Sequence, residues 1–169
     1  MASNRLQQIL DIKAREVACL LPKASLLRAA ALERNDFRPF VLALDQGPEA
    51  LGLIAEVKKA SPSVGVIAAN FNPLEIAKSY EAGGAHALSV LTDKEFFQGD
   101  LSYLTQIRRV VELPLLRKDF IIHEVQIAEA SVAGADAVLL IVAALEQERL
   151  EALYAEALAL QLDVLVEVH

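Results

Sequence analysis

The sequence predicts an α/β fold built on a parallel sheet. From Leu51 onward, short apolar runs alternate with longer amphipathic ones. The apolar runs are continuous rather than alternating, as expected of strands covered by helices. A small-residue turn also recurs: Ala82-Gly83-Gly84-Ala85-His86-Ala87 opens one apolar run and Ala133-Gly134-Ala135-Asp136-Ala137 opens another. Two architectures fit this pattern, a doubly wound open sheet and a (β/α)8 barrel. No Gly-rich dinucleotide fingerprint follows the first strand, which weakens the open-sheet reading.

Before the first strand, Leu6, Ile9, Leu10, Val17, Leu20 and Leu21 recur at helical spacing and predict an amphipathic helix ending near Pro22. A second helix is expected over Ser25–Glu33 and a short third over Phe40–Leu44. Residues 1–48 therefore read as a helical extension, and 49–169 as the βα region. Its strands are expected at Leu51–Val57, Ala87–Leu91, Pro114–Lys118, Ala137–Val142 and Asp163–Val168. Its helices are expected at Pro73–Ala82, Leu101–Val111, Glu124–Ala133 and Glu146–Leu160. Asn72 and His123 stand where helix N-caps belong, and Gly83-Gly84 and Gly134 where C-caps belong. A complete (β/α)8 barrel needs at least about 200 residues. A barrel reading of this 169-residue sequence thus implies strands 1–5 of an incomplete barrel, with His169 directly after the fifth strand.

Composition excludes several classes of function. With 54% hydrophobic residues the chain buries a core and is not disordered. Its longest apolar run, Ala137–Leu145, is far short of the roughly 18 residues of a membrane span, and the polar start MASNRLQQ is not a secretory leader. These features predict a cytoplasmic protein. Net charge is −7 with no basic block, which argues against nucleic acid as a partner. The single cysteine, Cys19, lies in an apolar helical pattern and is expected to be a small buried residue. No Cys/His/Asp cluster has metal-ligand spacing, so no metal is expected. His86 and His169 have no partner visible in the sequence.

Parallel βα sheets place their sites at the C-terminal ends of the strands. There the sequence has Glu56 and Lys58, two apart and so on one face, followed by Lys118 on the third strand and Glu167 on the fifth. Two carboxylates and two ammonium groups in one partly dry place suit general acid–base chemistry. The Gly/Pro-containing segment 59–65 reads as a loop. Phe96, Phe97 and Phe120 follow strands 2 and 3 and could either flank a flat ring or fill the core.

Five motifs in order resemble the indole-3-glycerol phosphate synthase family: IAEVKKASPSVG, LSVLTDKEFFQGD, LPLLRKDFIIHEVQI, GADAVLLIVAAL and VLVEVH. The resemblance covers nearly the whole chain. It implies a (β/α)8 TIM barrel, incomplete here, and a lyase of tryptophan biosynthesis. Such a lyase closes the ring of 1-(2-carboxyphenylamino)-1-deoxyribulose 5-phosphate with loss of carbon dioxide and water, without cofactor or metal. It further implies Lys118 as general acid, Glu167 as its carboxylate counterpart, Lys58 as a binder of anionic groups and second acid, and Glu56 as the carboxylate that orients the lysines. Ser61 becomes a substrate contact, Phe97 and Phe120 line an anthranilate pocket, and Leu139 and Leu165 complete its apolar wall. Barrels often build their phosphate site from the last two loops, so the sequence as given is expected to be inactive or weakly active as a monomer. The alternative is an inactive partial barrel that self-associates through open sheet edges. A related phosphosugar barrel enzyme, such as phosphoribosylanthranilate isomerase, is disfavoured by the Glu56/Lys58 pair with Lys118.

Overall fold

A computed structural model describes residues 2–67 and 70–168, with side chains from Arg5 onward; His169 lies outside the described residues. The N-terminal extension is helical. It contains α1 (Ala2–Leu20), a 3-10 turn at Leu21–Lys23, α2 (Ala24–Glu33) and α3 (Phe40–Leu44). The βα region follows as β1 (Ile54–Val57), a small hairpin of β2 (Ala60–Ser61) and β3 (Gly65–Val66), α4 (Pro73–Ala82), β4 (Ala87–Leu91), α5 (Ser102–Arg108), β5 (Leu115–Lys118), α6 (Glu124–Ala133), β6 (Ala137–Ile141), a 3-10 turn at Val142–Ala144, α7 (Gln147–Ala159) and β7 (Asp163–Glu167).

The five main strands form one all-parallel sheet in the order β1-β4-β5-β6-β7. Strand order following chain order without reversal separates the two architectures left open by the sequence. A doubly wound sheet turns back at a switch point, whereas a barrel winds on in one direction. The register sorts the side chains into two faces. Outward-facing Val57, Leu88, Val90, Leu115, Val138 and Leu140 pack with the helices in the main core. The inward row at the N-terminal end holds Ala87, Leu116 and Ala137, and these pack around Phe40 of α3. Phe40 is 2% exposed and plugs the bottom of the sheet; burial of such a side chain stabilises by roughly 1.5–3 kcal/mol. Asp163 accepts a hydrogen bond from the Val41 amide (3.0 Å) and ties α3 to β7.

The helices stop and start where local chemistry requires. The Asn72 side chain accepts from the Leu74 and Glu75 amides, with Pro73 at the first helical position of α4. His123 caps α6 in a capping box with Gln126. Gly134 ends α6 at φ +96, a conformation that suits glycine. Pairing begins later than expected on the first strand, because Leu51 and Leu53 are exposed and precede the sheet. Val142 leaves the fourth strand for a 3-10 turn, and α5 ends at Arg108 rather than Val111.

Two expectations are corrected. Cys19 is exposed, not buried. The buried stripe of α1 is Ile9, Lys13 and Val17, spaced four apart, and Cys19 falls off that stripe. His86 does have a partner: its Nδ1 accepts the Leu53 amide at 3.0 Å, at the entrance to β4.

The extension is fastened by charge as well as by packing. Asp136, fully buried, accepts from Arg34 (2.9 Å), Arg108 (2.9 Å), the Arg38 amide (3.0 Å) and the Leu115 amide (3.0 Å). Arg38 reaches the carbonyls of Val111, Leu113 and Arg108. The α2–β1 linker is thereby held against the N-terminal end of the sheet. No helix among the described residues is long and apolar enough to cross a membrane.

Candidate functional site

An open cleft of about 1250 Å³ lies at the C-terminal ends of the strands. Its walls come from β1 with the hairpin that follows it, from the turns after β4 and β5, from β6 and β7, and from α1. The period-2 geometry of the strands explains the placement. Ile54 points inward at the bottom of β1, so Glu56 and then Lys58 point inward above it. Leu116 likewise points inward on β5, which puts Lys118 on the same face at the strand's end. Ile141 is the register partner of Glu167, and both line the cleft.

Glu56, Lys58, Lys118 and Glu167 are therefore gathered in one cavity. The Glu56 carboxylate bridges the two lysines. Oε1 accepts a short hydrogen bond from Lys58 Nζ, and Oε2 stands 3.7 Å from Lys118 Nζ. All three side chains are about one-third exposed, so the group is reachable from solvent but partly desolvated. Such a site can give and take protons, because none of the charges is sealed away.

The other expected residues divide. Ser61 lies in the cleft wall, where its Oγ accepts from the Val64 amide and lies 3.3 Å from Ser63 Oγ. Phe97 and Phe120 face each other across 6.3 Å between ring centroids, tilted by 36°. Leu139 is buried in the floor. Leu165 is the register partner of Leu139 on the inward face of the sheet, one inward position below Glu167. The segment read as a loop after strand 1 contains a small hairpin, with Ala60 paired to Val66 and Ser61 to Gly65.

Sequence reasoning missed the group beneath the aromatic pair. Lys13 of α1 is 1% exposed, and its Nζ lies 2.8 Å from Asp93 and 2.9 Å from Asp119. Burial alone would lower its pKa, but the carboxylates of Asp119 and Asp93 outweigh that and hold it above the ordinary lysine value. Burial would likewise raise the Asp119 carboxyl. Arg117 and Lys13 reverse the effect and keep it ionised below its usual range. Asp119 also accepts from the Thr92 hydroxyl at 2.5 Å, and Arg117 extends the network to Glu129 of α6 at 2.9 Å. A signal was present: Lys13 interrupts the apolar stripe midway between Ile9 and Val17. Among the described residues no group of three or more His, Cys, Asp or Glu is arranged to hold a metal ion.

Comparison with known proteins points the same way. A family model described as indole-3-glycerol phosphate synthase matches residues 6–169. A protein of that name from Geobacillus thermodenitrificans is 52% identical over 165 residues, covering 97% of this chain and 61% of the relative. Proteins of the same name from Chlorobium phaeovibrioides and Chromobacterium violaceum are each 52% identical, over 97% and 99% of this chain. The chain spans 64% of the length of each of these two.

Proposed function

The chain belongs to the indole-3-glycerol phosphate synthase family, and we propose that it carries the acid–base centre of that ring closure. In this reading residues 49–169 form strands 1–5 of the catalytic barrel, and residues 1–48 are its helical extension. The observation that carries it is the Glu56 carboxylate set between Lys58 and Lys118, with Glu167 in the same cleft.

The substrate is 1-(2-carboxyphenylamino)-1-deoxyribulose 5-phosphate. The ring carbon bearing the carboxylate attacks the ketone carbon. The carbonyl π electrons move to oxygen, which takes a proton from the Lys118 ammonium. The carbon–carboxylate bond then breaks, and its electrons return to the ring as carbon dioxide leaves. The ring itself accepts these electrons, so the step calls for no separate electron sink. Dehydration follows: an ammonium protonates the departing hydroxyl, and a carboxylate removes the proton whose loss completes the indole. Lys58 is placed to serve as that acid and to meet the substrate's anionic groups. Glu56 holds both lysines in reach, and Glu167 is placed to take the proton. Phe97 and Phe120 line the anthranilate pocket, Leu139 and Leu165 complete its apolar wall, and Ser61 is a substrate contact.

The test is turnover, followed by the absorbance or fluorescence of the indole product. It is run on the purified chain and on a chimera in which this chain is continued by the remaining length of the Geobacillus thermodenitrificans relative. Product in either preparation that vanishes in Lys118→Ala supports the assignment. Product that survives both Lys118→Ala and Glu56→Gln, or none in either preparation, overturns it.

A further inference from the structure

Lys13 takes no part in the proton transfers above, yet it carries a full charge into a site almost closed to water. Burying an ammonium is costly unless geometry and partners are good. Here the partners are Glu16 of the same helix (2.9 Å) and two carboxylates from different βα turns, Asp93 after β4 and Asp119 after β5. Each carboxylate has a second task on its other contacts. Asp93 Oδ1 accepts the amides of Phe96 (2.7 Å) and Phe97 (3.2 Å). Asp119 Oδ1, besides meeting Lys13, accepts the amide of Phe120 at 2.9 Å. The turn after β4 folds tightly back on its strand: the Gly99 amide donates to the Asp93 carbonyl at 2.7 Å, and a Cβ at Gly99 would collide with the Leu91 carbonyl. The same face of α1 carries Ile9, Leu6 and Arg5 into the cleft wall.

We propose that Lys13 is a positioning residue for the aromatic wall of the cleft. From the N-terminal helix it locks the two carboxylates that fix the backbone at Phe97 and Phe120, and so sets the position of the two rings. α1 is then part of the site's architecture and not only a brace for the barrel. The inference rests on the reading of the cleft as an anthranilate pocket, and it goes beyond the acid–base residues assigned there.

The first measurement is amide hydrogen exchange. In Lys13→Met, the amides of Phe96, Phe97 and Phe120 exchange at least about tenfold faster, while those inside β4 and β5 keep their protection. Asp93→Asn keeps an oxygen for the Phe96 and Phe97 amides but weakens the ion pair. It gives a smaller change of the same kind, and it carries the test if Lys13→Met does not fold. The second measurement is binding of anthranilate, followed by its own fluorescence, which weakens about tenfold in either variant. In the preparation that turns over, KM rises about tenfold while kcat changes less than about threefold, as for loss of contacts made alike in ground and transition state. Unchanged exchange at the three amides, or acceleration spread equally over the sheet, overturns the proposal. Anthranilate that does not bind even the unsubstituted chain, with the three amides responding as expected, overturns the anthranilate reading of the cleft and leaves the pin standing.

Discussion

Two networks of the same chemistry, cation against carboxylate, one at each end of the sheet, are built in opposite ways. At the N-terminal end Asp136 is wholly buried and receives two guanidinium groups and two backbone amides. At the C-terminal end Glu56 meets Lys58 closely and Lys118 only at 3.7 Å, and water reaches all three. A carboxylate whose lone pairs are all committed holds chain segments together. A carboxylate with one loose partner and access to solvent has room for a further ligand. The difference lies in the surroundings of the groups, since the residue types are nearly the same.

Substitutions at the two ends should therefore separate activity from stability. The largest effect is expected from Lys118→Ala, which should lower kcat/KM by about 10²–10⁴-fold in the preparation that turns over. Its unfolding free energy should stay within about 1 kcal/mol, because the pair it breaks is part-exposed. A stability loss comparable to the catalytic one would erase the contrast. Next comes Asp136→Ala. It strands buried guanidinium groups and should cost about 3–5 kcal/mol, read as a fall in the urea midpoint at unchanged slope; a midpoint shift of the size seen for surface positions would sink the structural assignment.

Acid tests the rim of the same N-terminal network. The hydrogen bond from Arg34, against the opposing effect of partial burial and with help from Arg108, pulls the Asp36 carboxyl down to about 2 from 3.8. A lowered carboxyl pKa contributes stability that is complete above the unfolded value and lost as pH falls through the folded one. Thermal midpoints should thus decline from about pH 4 toward pH 2, and Asp36→Asn should make that decline shallower; equal slopes would show that Asp36 adds nothing. The smallest effect belongs to Cys19→Ser, an exposed helix position away from both networks. It should change stability by no more than about 0.5 kcal/mol, and the native thiol should react fully with a thiol reagent in the folded state.

Much of this was legible in the sequence, because the strands announce themselves as apolar runs and the caps as Asn72, His123 and Gly134. The C-terminal-end rule with period-2 spacing was enough to bring Glu56, Lys58, Lys118 and Glu167 into one cleft. What stayed hidden depends on long-range partners. Lys13 looks like a solvated lysine until Asp93 and Asp119, 80 and 106 residues further on, are folded around it. Cys19 fits an apolar pattern, and only the docking of α1 decides which side of the helix is covered.

The plug formed by α3 also sets an order of events during synthesis. Residues 34–41 leave the ribosome well before their anchors: Asp136 lies 102 residues beyond Arg34, and Asp163 lies 122 beyond Val41. At about 5–20 residues per second, roughly 5–25 s separate the emergence of Phe40's neighbourhood from that of its last anchor. During that interval Phe40's seat is assembled piece by piece, from Ala87, Leu116 and then Ala137. In a nascent chain of this protein the plug is thus made well before the last residue that fastens it.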